Sequence, residues 1–227
     1  GIWWVAYDAD KKMLLRRSTG PDGREWREPV VMNERDTAED DICAVAALPD
    51  GVGVVWSDQA HDGVYFRRPG GNIEVVAEGG LTADDHINTA VGDDGTLYVA
   101  MKNSVDTTGQ PQLVLRVRSP KGKWSSIPYA LKTDTELPSR PIAVAGGRPE
   151  RLFLLHTVYQ PGPAARRRDW IAAIVTPTRH LRINVPAIPV ERAADTRLND
   201  VTGPKRRWPD GEPWIVPIES TPFRIGR

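Results

Sequence analysis

The chain has 227 residues, and its 30 lysines and arginines balance 30 aspartates and glutamates to a formal charge of zero. That length suits one large domain or two small ones. The balance argues against a general nucleic-acid binder, which carries a basic excess or patch, and no apolar run approaches the ~20 residues of a membrane-spanning helix. The 20 glycines and 20 prolines make up about 18% of the chain, against a usual share of roughly 12%, so many short turns are expected.

Short apolar, β-branched runs bounded by Gly, Pro and Asp predict strands along nearly the whole chain. In order they are 2–7, 13–17, 26–32, 42–48, 52–57, 64–68, 73–77, 87–92, 96–101, 112–117, 124–129, 141–145, 152–158, 170–176 and 181–185, with weaker runs at 199–202 and 214–218. Hairpin turn signals fall between them at Pro49-Asp50-Gly51, Asp93-Asp94-Gly95, Pro120-Lys121-Gly122 and Asp210-Gly211. No stretch keeps a 3.6-residue apolar period over 12 residues. The expectation is an all-β chain.

The runs recur in sets of four. Asp41-Ile42, His86-Ile87, Pro141-Ile142 and Asp200-Val201 open successive sets, spaced by about 45, 55 and 59 residues. Self-similarity on roughly this period marks propeller blades. The second strand of each set is the most apolar (Gly53-Val54-Val55-Trp56, Leu97-Tyr98-Val99-Ala100, Leu152-Phe153-Leu154-Leu155), as expected for strands buried on both faces. These signals predict a β-propeller of four-stranded antiparallel blades, about five blade equivalents within a single domain, divided roughly as 1–35, 40–78, 84–130, 138–190 and 196–227. The first set opens at its second strand and the last is short. The chain is therefore expected to be an incomplete piece of a larger propeller, completed by a further polypeptide segment. It opens Gly1-Ile2-Trp3-Trp4 with no charged n-region or long apolar h-region, so no signal peptide is read.

The third strand of a set ends in arginine, a turn follows, and a tryptophan begins the fourth. Examples are Arg17-Ser18…Gly23-Arg24-Glu25-Trp26 and Arg118-Ser119-Pro120-Lys121-Gly122-Lys123-Trp124. This turn resembles the Asp-box, or BNR, repeat of sialidase-like propellers, with its usual aspartate out of register. The stretch Asp84-Asp85-His86-Ile87-Asn88, then Asp94-Gly95-Thr96-Leu97-Tyr98-Val99-Ala100, is similar to BNR-repeat propellers of secreted bacterial proteins. The resemblance implies a propeller fold and an extracellular or cell-surface setting. Some relatives of that kind are polysaccharide lyases and many have no assigned role, so it implies no particular chemistry.

In an up-and-down blade, the loops between strands two and three share a face with the loops leading into the next blade. That face collects the candidate ligand-binding residues Asp41, Asp58, His61, Asp85, His86, Lys102, Arg140 and His156. Each has a plainer reading. Asp41 and Asp85 hold one blade position and would cap backbone donors; His156 ends an apolar strand. Asp8/Asp10 and Asp58/Asp62 fit no EF-hand spacing, and neither a metal nor another cofactor is expected. Arg17, Arg68 and Arg118 recur at one repeat position on the opposite face, so they cannot form a sialidase arginine triad. Arg166-Arg167-Arg168 reads as a solvated loop tip, and Trp208 as a loop residue able to stack on a sugar. Trp26, Trp56, Trp124 and Trp170 read as packing between blades, and Cys43, lacking a basic neighbour, as a buried inert thiol.

Two functions fit. The first is a non-catalytic module of a secreted or surface bacterial protein that binds a glycan, or a protein, at the propeller mouth. The second is a uronate polysaccharide lyase, in which a histidine moves the proton and an arginine neutralises the carboxylate so that the α-proton can leave.

Overall fold

The computed structural model describes residues 2–160, 169–181, 183, 187–192, 201–202, 214–217 and 223–224. Among the described residues, eighteen strands account for the regular structure and the helical content is two single 3-10 turns, Gln59–His61 and Thr178–His180. Strands β4 (Cys43–Leu48), β5 (Gly51–Asp58), β6 (Gly63–Arg67) and β7 (Glu74–Glu78) form one antiparallel meander in chain order. So do β8 (Ile87–Val91), β9 (Leu97–Lys102), β10 (Pro111–Arg118) and β11 (Trp124–Leu131), and then β12 (Leu137–Gly146), β13 (Arg151–Tyr159), β14 (Trp170–Pro177) and β15 (Ile188–Arg192). Three-stranded sheets come before and after: β1 (Trp4–Ala9), β2 (Lys12–Arg17), β3 (Val30–Val31), and β16 (Val201–Thr202), β17 (Trp214–Pro217), β18 (Phe223–Arg224). Every pairing is between neighbours in sequence, which is the up-and-down pattern expected of blades.

The chain divides into two compact units, residues 1–87 and 88–227. In the first, the core forms where the sheet of β1–β3 meets that of β4–β7. Met13, Leu15 and Met32 pack there with Val54, Trp56 and Tyr65. Gly53, in the middle of β5, is required by this packing: a Cβ at that position would meet the ring of Phe66 at 2.2 Å. In the second unit the core is again sheet against sheet, with Tyr98, Ala100 and Leu115 meeting Ala143, Leu152, Leu154 and Ile174. Asn88 reinforces this seam: its Oδ1 accepts from the Ala143 amide at 3.1 Å. The second strands β5, β9 and β13 are buried along nearly their whole length on both faces.

Two expectations need correction. The run 181–185 is not the fourth strand of its set; that strand is β15, and Leu181 and Ile183 lie outside any strand. They are apolar because they pack onto the second unit's core. Among the tryptophans, Trp56 is fully buried, whereas Trp26, Trp124 and Trp170 are only half-buried. Trp26 and Trp124 follow the third strand of their sets, nearer the sheet edge, where less of the ring is covered. Cys43 is half-buried, and burial, then the Asp8 charge, push its thiol up to about 12, so it is unreactive at neutral pH.

Candidate functional site

The loop end of the first unit is built by hydrogen bonds from acidic side chains. Asp41, 4% exposed, accepts from the Ala38 amide at 2.7 Å, the Ser57 hydroxyl at 2.9 Å and the Gln59 amide at 3.0 Å. Its carboxylate ties the segment entering β4 to the end of β5. Asp58 ends β5 and caps the 3-10 turn, accepting from the His61 amide at 3.2 Å and from His61 Nδ1 at 2.9 Å. Asp62 ends that turn in the left-handed region (φ 49). Its carboxylate accepts from the Leu81 and Ala83 amides at 2.8 and 3.1 Å, anchoring the loop that leads into β8. Asp58 and Asp62 are thus turn-builders.

At the end of that loop His86 Nδ1 bonds Asp84 at 2.7 Å and also contacts the Asp85 carboxylate. The His86 side chain is 13% exposed, and its buried Nε2 has no partner. Asp85 is 49% exposed, while Asp84 beside it is buried. The inward-facing carboxylate at this blade entrance is therefore that of Asp84, not Asp85. Successive residues of an extended chain point to opposite sides, so a shift of one residue exchanges buried for exposed. Asp84, Asp85 and His86 bring one donor atom each within 4.8 Å of one another, a set able to hold a cation. Here those atoms bond one another.

His61 is the more accessible of the two histidines, its side chain 39% exposed against 13% for His86. A carboxylate on Nδ1 orients the ring and leaves Nε2 as the outward-facing nitrogen. Beside it, Asp58 lines a cavity of about 220 Å³ with Asn33, Arg35, Trp56 and Tyr65. The Tyr65 hydroxyl receives a bond from Arg35 at 2.7 Å and donates to Glu78 at 2.9 Å. Burial, then the bond to Glu78, push this phenol up. Sequence reasoning missed the Arg35–Tyr65–Glu78 relay, because Tyr65 looks like one more β-strand aromatic.

In the second unit Arg140 interrupts β12. Ser139 pairs with Thr157 and Ile142 with Leu155, so Arg140 and Pro141 together oppose His156, a β-bulge. Arg140 takes φ 51 and donates from Nε to the Tyr159 hydroxyl at 3.1 Å. Non-glycine residues avoid this conformation, and strain of that kind concentrates at functional positions. Lys102 ends β9 and is half-buried. His156 is 2% exposed and faces Tyr129, ring centroids 5.8 Å apart. Neither His156 Nδ1 nor the Tyr129 hydroxyl has a hydrogen-bond partner. Burial pushes His156 down to about 3 and Tyr129 well up. His156 is a neutral core residue.

The repeated arginines are structural. Arg17 lies over the Trp4 ring at 5.6 Å, Arg68 pairs with Asp50 at 2.5 Å, and Arg118 is buried beside the turn of Gly122. Residues 166–168 and 208 lie outside the described residues.

No family model matches the chain, and no curated protein sequence does. Solved structures do. An α-L-arabinofuranosidase from Fusarium graminearum, in complex with an iminosugar inhibitor, aligns with a TM-score of 0.54 at 14% identity, over 84% of this chain and 63% of that one. A GH43 endo-arabinanase from Bacillus licheniformis gives 0.42 at 11% identity, over 77% and 68% of the two chains. A protein of unknown function from Dyadobacter fermentans gives 0.44 at 12%, over 82% and 55%. The chain thus spans less than two thirds of the arabinofuranosidase's length. With four-stranded antiparallel meanders and almost no helix, the class this defines is the β-propeller. At such identities the likeness is one of fold.

Proposed function

We propose that this chain is a carbohydrate-binding β-propeller module of a secreted or cell-surface protein, of the BNR-repeat kind its arginine-to-tryptophan turns resemble. Sugar hydroxyls are read at the loop end of each unit: by Asp58–His61 and Asp84-Asp85-His86 in the first, and by Lys102 and Arg140 in the second. Asp41 and His156 support those loops from beneath. The observation that carries the reading is His61, exposed and oriented through Nδ1 by a buried carboxylate. With Nδ1 engaged by that carboxylate, Nε2 is the ring nitrogen left to meet a sugar hydroxyl. The arabinofuranosidase that shares this fold is a sugar-directed protein, which agrees with the proposal.

The test is titration of the chain with a panel of neutral and acidic oligosaccharides. Binding is expected for at least one glycan, and His61→Ala is expected to weaken it about tenfold, near the 1.4 kcal/mol of one hydrogen bond. The melting temperature should hold. Equal binding by parent and variant, or no binding by the parent, would remove the reading.

The strained Arg140 beside Tyr159 favours a second reading, a uronate lyase, in which that guanidinium would neutralise a substrate carboxylate. New ultraviolet absorbance from a carbon–carbon double bond on incubation with uronic-acid polysaccharides would establish it. Arg140→Gly separates strain from packing. Glycine adopts φ 51 without the side-chain clash, so the variant is expected to be as stable as the parent or up to about 1 kcal/mol more stable, while losing whatever ligand the arginine holds. A fall of more than 1 kcal/mol in chemical denaturation would show that Arg140 is there for packing.

A further inference from the structure

At the other end of the second unit, three turns surround a cleft of about 610 Å³. They are the β8–β9 hairpin with Asp93 and Asp94, the β12–β13 hairpin with Arg148 and Glu150, and the 3-10 turn with Thr178 and Arg179. A second hollow of about 290 Å³ shares Asp94 and Thr178 with the first and adds Tyr98 and Lys123. Together they make a continuous groove within the size range of small-molecule sites, roughly 300–1,000 Å³.

The groove's frame is fixed by its acidic residues. Glu150 Oε1 accepts from the Asp93 amide at 2.8 Å, and Asp94 Oδ1 accepts from the Thr96 amide at 2.9 Å. The Glu150 carbonyl accepts from both the Thr178 amide and hydroxyl at 3.3 Å. Glu150 thereby joins all three turns. The cations are in the opposite condition. Arg148, Arg179 and Lys123 are exposed, and no hydrogen bond or ion pair engages their side-chain nitrogens among the described residues. Asp94 has one carboxylate oxygen committed to the Thr96 amide, so its remaining lone pairs can accept from hydroxyls.

This pattern restricts the ligand. Two unengaged guanidiniums at one cleft suit a carboxylate held through paired N–H donors. The fixed carboxylates repel a densely charged polyanion but accept from hydroxyl groups. We propose that the groove binds a sugar acid, a uronate mono- or disaccharide whose carboxylate lies between Arg148 and Arg179 and whose hydroxyls donate to Asp94. This site is separate from the loop-end residues above and does not depend on them.

The experiment titrates the full chain by calorimetry with digalacturonate, its neutral methyl ester and inorganic phosphate. Arg148→Gln/Arg179→Gln is compared with the parent. Digalacturonate should bind, and the ester and the double variant should each lose at least tenfold in affinity. Both arginines are exposed, so the double variant should melt with the parent. Ester binding as tight as the acid, a double variant that binds like the parent, or phosphate binding as tight as digalacturonate would each overturn the proposal. So would the absence of binding by the parent at millimolar ligand.

Discussion

Asp41→Ala is expected to destabilise the protein by about 3 kcal/mol, the cost of leaving two or three partly buried donors unpaired at roughly 1–3 kcal/mol each. The three donors are the Ala38 amide, the Ser57 hydroxyl and the Gln59 amide. Ser57 is fully buried and also accepts from the Ile42 amide at 3.1 Å, so its hydroxyl hydrogen is directed at Asp41. Asn at this position keeps one carbonyl oxygen and should recover about half of the loss. Asp85→Ala serves as the comparison, since that carboxylate is half in solvent. Its effect should stay within about 1 kcal/mol, as for an exposed ion pair. Urea denaturation of the three variants is the measurement. Equal, small effects at both positions would mean that Asp41 is not structural and is available to a ligand.

The contrast between Asp41 and Asp85 also shows how far the sequence could be read. The meander was legible because each blade alternates apolar runs with glycine- and aspartate-rich turns, and burial on both faces leaves an unbroken apolar second strand such as 97–101. That acidic residues precede β4 and β8 was legible as well. Which of two adjacent aspartates turns inward was not, because both satisfy the same pattern and the choice depends on where the loop is tied by Asp62. Leu181 and Ile183 misled for a related reason, since an apolar residue packed onto a core from a coil has the composition of a strand. The groove of Arg148 and Arg179 had no signature at all. Its residues belong to three turns far apart in sequence, each unremarkable alone, and only the pairing of β12 with β13 and the bond from Thr178 to Glu150 bring them together.

His156 should make the protein's stability depend on pH in a window set by its burial. Its imidazole is pushed down to about 3 in the fold, by desolvation, whereas in the unfolded chain it returns to about 6.5. Between those values the unfolded chain holds a proton that the folded chain does not. Stability therefore rises with pH across the window, is fully present above about 6.5, and is lost as pH falls toward 3. The slope approaches about 1.4 kcal/mol per pH unit once the unfolded histidine is mostly protonated. From pH 7 to 5 the parent should lose about 2 kcal/mol more than His156→Leu, and the difference between the two proteins cancels the groups they share. Leucine replaces the ring with an apolar side chain on the face that already carries Leu152 and Leu154. It also removes a buried nitrogen without a partner, so at pH 7 the variant should match the parent or exceed it slightly. Urea midpoints at pH 7, 6 and 5 give the answer. Parallel curves would mean that His156 gains its proton inside the fold, which would require water to reach its buried ring beside Tyr129.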